Sequence, residues 1–340
     1  MLPLALSIGD VAGIGPEIIA RAFAGGRAQG CVVYGCAQAM ADAVDALHLR
    51  PDAERPVVAR VDDPAAAQNL PPGCIPVVQP PGVDSQVLQS IRPGVVDARA
   101  GAAAHASLVE AAQAALRGEV AGLVTAPIHK EAWHAAGIGF PGHTELLQRL
   151  AGVDAVRMML ANEELRTVLV TIHLSVRRAL QAITEQAVLQ TLRISHDAAA
   201  RWGQPRPRIA VAGLNPHAGE GGLFGDEEQR IIAPAIARAR AEGIDASGPY
   251  APDTVFLRAR HTPTRAGEFD VVVAMLHDHA LIPVKYLGLE RGVNVTLGLP
   301  FVRTSPDHGT AFDIAGQGIA DASSLCAAID LARRLAGAPA

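Results

Sequence analysis

The chain reads as an α/β protein built from two α/β/α domains with a cleft between them. Three observations lead there. Short apolar runs alternate with Ala-rich segments of helical length, most of those runs are apolar at every position, and 340 residues suffice for two hydrophobic cores. A strand covered by helices on both faces shows no apolar/polar alternation, which is the pattern of a parallel sheet in an α/β/α sandwich.

In chain order, strands are expected at Leu4–Ile8, Cys31–Tyr34, Gly122–Thr125, Thr167–Ile172, Arg208–Ala212, Asp270–Met275 and Val293–Leu297. Helices are expected at Pro16–Phe23, Ala37–Leu47, Ala100–Leu116, Glu185–Arg201, Asp226–Ala241 and Ser323–Leu335. Between the first strand and the first helix lies GDVAGIGPE, where Pro16 suits the first helical turn and Gly13 and Gly15 permit tight packing. The stretch Asp62–Pro93, rich in Pro, Gly, Gln and Asp, reads as irregular. Candidate hinges near Ala126–Pro127 and in Gly298–Pro306 would assign residues 1–126 with 305–340 to one domain and 127–304 to the other.

A composition of 49% hydrophobic and 19% charged residues describes a globular chain and excludes a disordered one. The net charge of -5 leaves no basic excess, so neither nucleic acid nor an anionic membrane is an expected partner. No apolar run reaches the roughly 18 residues of a membrane span, and the expected location is cytoplasmic. Cys31, Cys36, Cys74 and Cys326 form no CxxC and no metal-ligand spacing, as expected of reduced thiols.

The chemistry gathers at strand ends. His173, His217 and His277 each sit just past an apolar run, where parallel α/β sheets bind ligands. Neutral imidazoles converging there could bind a divalent metal; structural hydrogen bonding is the other use of each, and His279 competes with His277. In GHTELL, Thr144 could cap a helix whose N-terminus favours an anion. Lys285 and Arg303 flank the strand containing Asn294; the lysine could act as acid, base or clamp, and the arginine fork suits phosphate or carboxylate. Asp253 and Asp278 could orient a histidine, move a proton or cap a helix. No GxGxxG occurs anywhere, which argues against a conventional Rossmann site.

In that order along the chain, GDVAGIGPE, VTAPIHK, GHTELL, LNPHAGEGGLFGDEE, GPYAPDTVF, HDHALIPVKYLG and GVNVTLGLPFVRTSPDHGTAFDIAG resemble the 4-hydroxythreonine-4-phosphate dehydrogenase family, from Leu4 to about Leu335. The resemblance implies an NAD- or NADP-dependent, metal-requiring homodimer of pyridoxine biosynthesis with its active site at the subunit interface. It implies a fold like that of isocitrate and isopropylmalate dehydrogenases, whose cofactor loop carries a similar HGT or HGS turn. The implied metal ligands are His173, His217 and His277, with Zn²⁺ favoured by three imidazoles and Mg²⁺ or Co²⁺ able to serve. The implied substrate contacts are His143, Thr144, Lys285, Asn294 and Arg303. By analogy with the decarboxylating dehydrogenases, Ser305, Asp307, His308, Gly309 and Thr310, with Asp313 and Asp321, would hold the adenosine side of the cofactor. Lys285, Asp253 and Asp278 are the catalytic candidates. The expected substrate is 4-hydroxythreonine 4-phosphate, with 4-phospho-threonate or phospho-erythronate as the near alternative and phosphotransacetylase-type acyl transfer as the distant one. Two positions depart from the family pattern: Val11 stands where Pro is usual, and Leu276–Ala280 reads LHDHA where YHDQG or YHDQA is usual.

Overall fold

The computed structural model describes residues 2–48, 54–201, 203–288 and 291–337. The chain divides into two compact units, Met1–Asp154 with Leu299–Ala340, and Ala155–Gly298. The first unit begins β1 (Leu4–Ser7), α1 (Gly15–Ala24), β2 (Cys31–Tyr34), α2 (Ala37–Ala46), β3 (Val57–Val61), β4 (Cys74–Val78) and α3 (Ser85–Leu88). It continues with α4 (Ala98–Leu116), β5 (Gly122–Thr125), α5 (Lys130–Ala135) and α6 (His143–Ala151). The second unit holds β6 (Arg157–Ala161), β7 (Arg166–Leu169), α7 (Val176–Ala182), α8 (Glu185–Arg201), β8 (Ile209–Ala212), α9 (Ala233–Ala241) and β9 (Ala246–Tyr250). It closes with α10 (Val255–Ala259), β10 (Val271–Ala274), α11 (His277–Tyr286) and β11 (Val293–Leu297). The chain then returns to the first unit as β12 (Val302–Pro306) and α12 (Ser323–Leu335).

In the first unit the strand order is β3-β4-β2-β1-β5-β12, and the recorded pairings are parallel. All four positions of β1, β2 and β5 are buried, so both faces of the sheet are covered. β3 lies at the edge and is half exposed, with Val57 facing solvent. β4 falls inside the stretch expected to be irregular. Its Pro76 lacks an N–H, and pairing with β2 starts only after it, at Val77 and Val78. That proline hid a strand that five residues of β3 pair with in register.

The boundary between the units falls later than the hinge expected at Ala126–Pro127. α5 and α6 pack on α4 and stay with the first unit. The contact is tight because α4 is made of small residues: a Cβ on Gly101 would lie 2.2 Å from the carbonyl oxygen of Ala132. Asp97 starts α4 by accepting the N–H of Arg99 at 2.8 Å. The return crossing likewise comes at Leu299 instead of residue 305.

The strands of the second unit run β11-β6-β7-β10-β8-β9 and are mixed in direction. β7, β10, β8 and β9 are parallel neighbours, while β6 is antiparallel to both β7 and β11. Its core gathers Leu160, Leu169, Ala210, Val272, Ala274, Leu281 and Val284 with Val255 and Phe256 of α10. Two expected elements are shorter or altered. β7 stops at Leu169, and the helix expected from Asp226 begins as a π-helix over Glu228–Ile232 before α9.

Candidate active site

Three parallel neighbours, β7, β10 and β8, send their C-terminal ends into the loops that carry His173, His277 and His217. The structure brings two of the three together. The rings of His173 and His277 stand 5.6 Å apart, centroid to centroid, at 46°. His277 opens α11, and its Nδ1–H donates to the Asp278 carboxylate at 2.8 Å, which leaves Nε2 as the acceptor nitrogen of the neutral ring. The His217 ring lies 6.2 Å from that of Phe224. Among the described residues no three His, Cys, Asp or Glu side chains are gathered closely enough to hold a metal. His173 and His217 share one property: both have positive φ, at 45° and 53°, a conformation costly to a residue with a Cβ. Such backbone persists where surrounding structure imposes it, and it concentrates at working sites.

The remaining candidates of the second unit are spread out. Lys285 is half-buried at the far end of α11, eight residues from His277, or roughly 12 Å along the helix axis at 1.5 Å per residue. Asn294 is half-buried in β11 opposite Leu160. Asp253 is exposed in the turn before α10, and none of the recorded hydrogen bonds or ion pairs of the described residues joins it to the histidines. His279 is held neutral by burial against the opposing pull of Asp278, and its Nδ1 is buried without a hydrogen-bond partner.

In the first unit an anion cradle is built around Arg303. This guanidinium is 3% exposed, donates to Thr125 Oγ1 at 2.7 Å, and is pushed down to about 10 by burial, with Glu145 opposing. A guanidinium fork is a strong donor to a phosphate or carboxylate. α6 starts at His143 after Gly142, so Thr144 is its second residue and not its cap. The first-turn N–H groups of that helix add positive potential. Burial, then the charges of Arg303 and Lys130, hold His143 well below the ordinary imidazole value, and its Nε2 is buried with no partner. A neutral imidazole N–H donor beside a guanidinium and a helix N-terminus can bind a phosphate or carboxylate.

The turn expected to hold a nucleotide lies against the opening loop of the same unit. The Ile14 N–H donates to Thr310 O at 3.0 Å, and a Cβ on Gly13 would meet Thr310 at 2.9 Å. Ser305 and Thr310 are buried, Asp307 and His308 are half-buried, and Gly309, Asp313 and Asp321 are exposed. Asp321 spends one oxygen on the N–H and hydroxyl of Ser323, which pulls its carboxyl below the ordinary value. The Nε2 of His308 is buried without a partner, and no atom crowds the place of a Cβ on Gly309; both fit a nucleotide lying across the turn. Beside it is a pocket of about 270 Å³ lined by Val11, Gly13, Cys36, Gln89, Pro93 and Gly316. A larger pocket of about 410 Å³ opens at the opposite, N-terminal ends of β1, β2 and β4, where none of the candidate residues lies. Size alone does not locate the chemistry here.

The profile described as Pyridoxal phosphate biosynthetic protein PdxA matches residues 27–332. The chain belongs to the PdxA family. Among curated PdxA relatives, the 4-hydroxythreonine-4-phosphate dehydrogenase of Beijerinckia indica is 53% identical over 98% of this chain and 95% of that protein. The D-threonate 4-phosphate dehydrogenase of Pectobacterium atrosepticum is 44% identical over 98% of this chain and 99% of its own. A crystal structure of 4-hydroxythreonine-4-phosphate dehydrogenase from Klebsiella pneumoniae matches with a TM-score of 0.89 at 44% identity, covering 99% of this chain and 100% of that one. The PdxA fold is the isocitrate dehydrogenase-like α/β fold expected from the motif order.

In this PdxA chain the tertiary structure also brings forward residues that reading along the sequence passed over. Thr125 and Lys130 join the Arg303 cradle from the VTAPIHK segment. The His129 ring stacks on Phe312, two residues past the Ser305–Thr310 turn, at 4.4 Å. Asp10 is fully buried, its carboxyl raised by burial, and it accepts the Ala12 N–H at 2.9 Å. Glu228 is buried against the His217 loop. Apart from Asp10, whose partner Ala12 is two residues on, these carry no local spacing signal, since each gains its meaning from a partner brought near by folding. No helix among the described residues is long and apolar enough to cross a membrane.

Proposed function

We propose that this chain oxidises 4-hydroxy-L-threonine 4-phosphate with NAD or NADP to 2-amino-3-oxo-4-phosphooxybutanoate, a precursor in pyridoxine 5'-phosphate synthesis. The product carries a carboxylate β to its new ketone and loses carbon dioxide to give 3-amino-2-oxopropyl phosphate. The observation that carries this reading is the buried Arg303 beside the N-terminus of α6, in a chain whose named relatives act on phosphate esters. A bulk-charge argument would not have found that site, because the net charge is -5.

Arg303, His143 and Thr144 bind the phosphate or the carboxylate through charge-assisted hydrogen bonds. His173 and His277 fit two arms of a divalent-metal site, with Zn²⁺ the best match to imidazole and Mg²⁺ or Co²⁺ as alternatives. Asp278 orients His277 and so acts as a positioning group, not as the base. When bound, the metal would supply Lewis acidity that lowers the alcohol pKa so that its proton can pass to water, and the nicotinamide would accept the hydride. Lys285, about 12 Å along α11 from His277, is assigned with Asn294 to the charged groups of the substrate. Ser305, Asp307, His308, Gly309, Thr310, Asp313 and Asp321 would carry the adenosine half of the cofactor.

The homodimer belongs to this proposal. His217 sits on an exposed loop with Leu223 and Phe224, and among the described residues of one chain no three such side chains are gathered closely enough to hold a metal. Exposed apolar residues also surround His173 and end α11: Leu174, Val176, Leu180, Ile282 and Tyr286. A metal site completed by His217 of the partner subunit would use both features. The second reading, oxidation of D-threonate 4-phosphate, is favoured by the 44% identity to the Pectobacterium enzyme.

The test is NADH or NADPH formation from both phosphorylated acids, from phospho-erythronate and from acetyl phosphate with coenzyme A, with and without chelator. Chelator-sensitive reduction of the cofactor with 4-hydroxythreonine 4-phosphate as the preferred substrate is expected. Preference for D-threonate 4-phosphate would replace the substrate, and no reduced cofactor under any metal condition would remove the dehydrogenase reading.

A further inference from the structure

We infer that Glu228 is a positioning residue for His217, a clamp that holds the histidine loop in a backbone conformation the loop would not keep by itself. The inference rests on the reading of His217 as a metal ligand.

The loop after β8 is unusual in its backbone. Five consecutive residues, His217 to Gly221, have φ of 53°, 53°, 81°, 43° and 67°. Three of them, His217, Ala218 and Glu220, are not glycine. L-residues avoid this region because the Cβ approaches the following carbonyl, and they visit it singly, not in runs. Something outside the run must hold it.

Glu228 does so from both carboxylate oxygens. It is 3% exposed, and Oε1 accepts the N–H groups of Leu214 and Asn215, each at 2.7 Å. Oε2 accepts the Asn215 side-chain amide at 2.9 Å, and Glu227 takes the same amide at 2.7 Å. Burial pushes the Glu228 carboxyl up, and these donors more than offset it, leaving it below the ordinary value. The bonds fix the chain immediately ahead of His217. The glycines around it obey the same geometry: an added Cβ would lie 3.0 Å from Glu228 Oε1 at Gly213, 2.8 Å from Glu228 Oε2 at Gly219, and 2.7 Å from Glu227 Oε2 at Gly225. Glu228 itself opens the π-helix Glu228–Ile232, a rare turn that recurs at functional sites.

A packing role alone would not call for a carboxylate. An apolar side chain fills a buried position without desolvating a charge, whereas a buried carboxylate serves where backbone donors must be fixed. What this one fixes is the approach to a single exposed imidazole. Outer groups that orient ligands typically change metal affinity about 10- to 100-fold when removed.

The experiment uses the full-length protein, stripped of metal and titrated with Co²⁺ and Zn²⁺, comparing wild type with Glu228→Gln and His217→Ala. Glu228→Gln is expected to weaken Co²⁺ binding about 10- to 100-fold. At saturating Co²⁺ it should regain the wild-type visible spectrum and a kcat close to wild type, because the ligand set is unchanged. A merely structural defect would lower kcat at every metal concentration, and that result would overturn the inference. His217→Ala should lose affinity and not recover the spectrum. If His217→Ala binds metal as wild type does, the ligand reading fails and the clamp loses its purpose. If His217→Ala weakens binding while Glu228→Gln keeps wild-type affinity, the clamp alone is wrong. Should Glu228→Gln not fold, Glu228→Asp decides, since its shorter side chain keeps the charge but withdraws the carboxylate from the Leu214 and Asn215 N–H groups. It is expected to weaken Co²⁺ binding about tenfold, and unchanged affinity there would refute the clamp.

Discussion

At the scale of single residues, position relative to a strand end carried most of the information. His173, His217 and His277 could be singled out because each follows an apolar run, and β7, β8 and β10 prove to be parallel neighbours. Glu228 and Thr125 could not be, because their partners lie 14 and 178 positions away. His143 lends itself to a direct measurement. Burial first, then Arg303 and Lys130, hold its folded pKa well below the ordinary imidazole value of about 6.5. The unfolded chain therefore binds a proton as pH falls through about 6.5 while the folded chain does not, so stability must fall on acidification and level off only below the folded pKa. Denaturant unfolding from pH 7.5 to 5.5 should lose at most about 1.4 kcal/mol per pH unit from this one group. In His143→Gln that share of the slope should vanish, the contributions of His105 and His279 being common to both proteins. Equal slopes in the two proteins would mean that His143 titrates normally in the fold.

At the scale of elements, the strands buried on both faces were readable, as were β7 and β11, whereas β3, β4, β6, β9 and β12 were not. β1, β2, β5, β8 and β10 are buried at every position, and continuous apolar runs mark them. β4 was obscured by Pro76, and β12 by Arg303, whose charge signals surface although the side chain is buried in the cradle. The allegiance of α5 and α6 was likewise hidden, since it depends on how closely α4 lets them approach. Gly101→Val tests that contact. With the Ala132 carbonyl 2.2 Å from the nearest Cβ position, the backbone must shift, and a loss of about 1–3 kcal/mol is expected. The urea midpoint should drop with the m-value unchanged. A midpoint equal to wild type would show that the α4–α5 contact yields freely.

At the scale of the whole molecule, the proposal requires a second copy of the chain. Tyr286 is 90% exposed at the end of α11, and an exposed aromatic of that size is a common anchor of an interface. Tyr286→Glu is expected to weaken self-association by about 2 kcal/mol or more, seen by sedimentation velocity as dissociation at concentrations where wild type is dimeric. Metal affinity should fall in parallel, because a site shared between subunits is lost with the dimer. A variant that stays dimeric would place α11 outside the interface. A monomeric variant that keeps wild-type metal affinity would show that all ligands come from one chain.

By itself the sequence determined the α/β class, the buried strands, the strand-end histidines and the motif order that identifies the family. These follow from burial periodicity and short-range spacing, which are written in neighbouring residues. Only the tertiary structure decided that β6 runs antiparallel, that α5 and α6 join the first unit, that Arg303 is buried against Thr125, and that Glu228 holds the His217 loop. Each of those is a choice of partner among residues distant in the chain. Such choices are settled by packing volume and by the cost of leaving buried polar groups unpaired, neither of which leaves a local pattern.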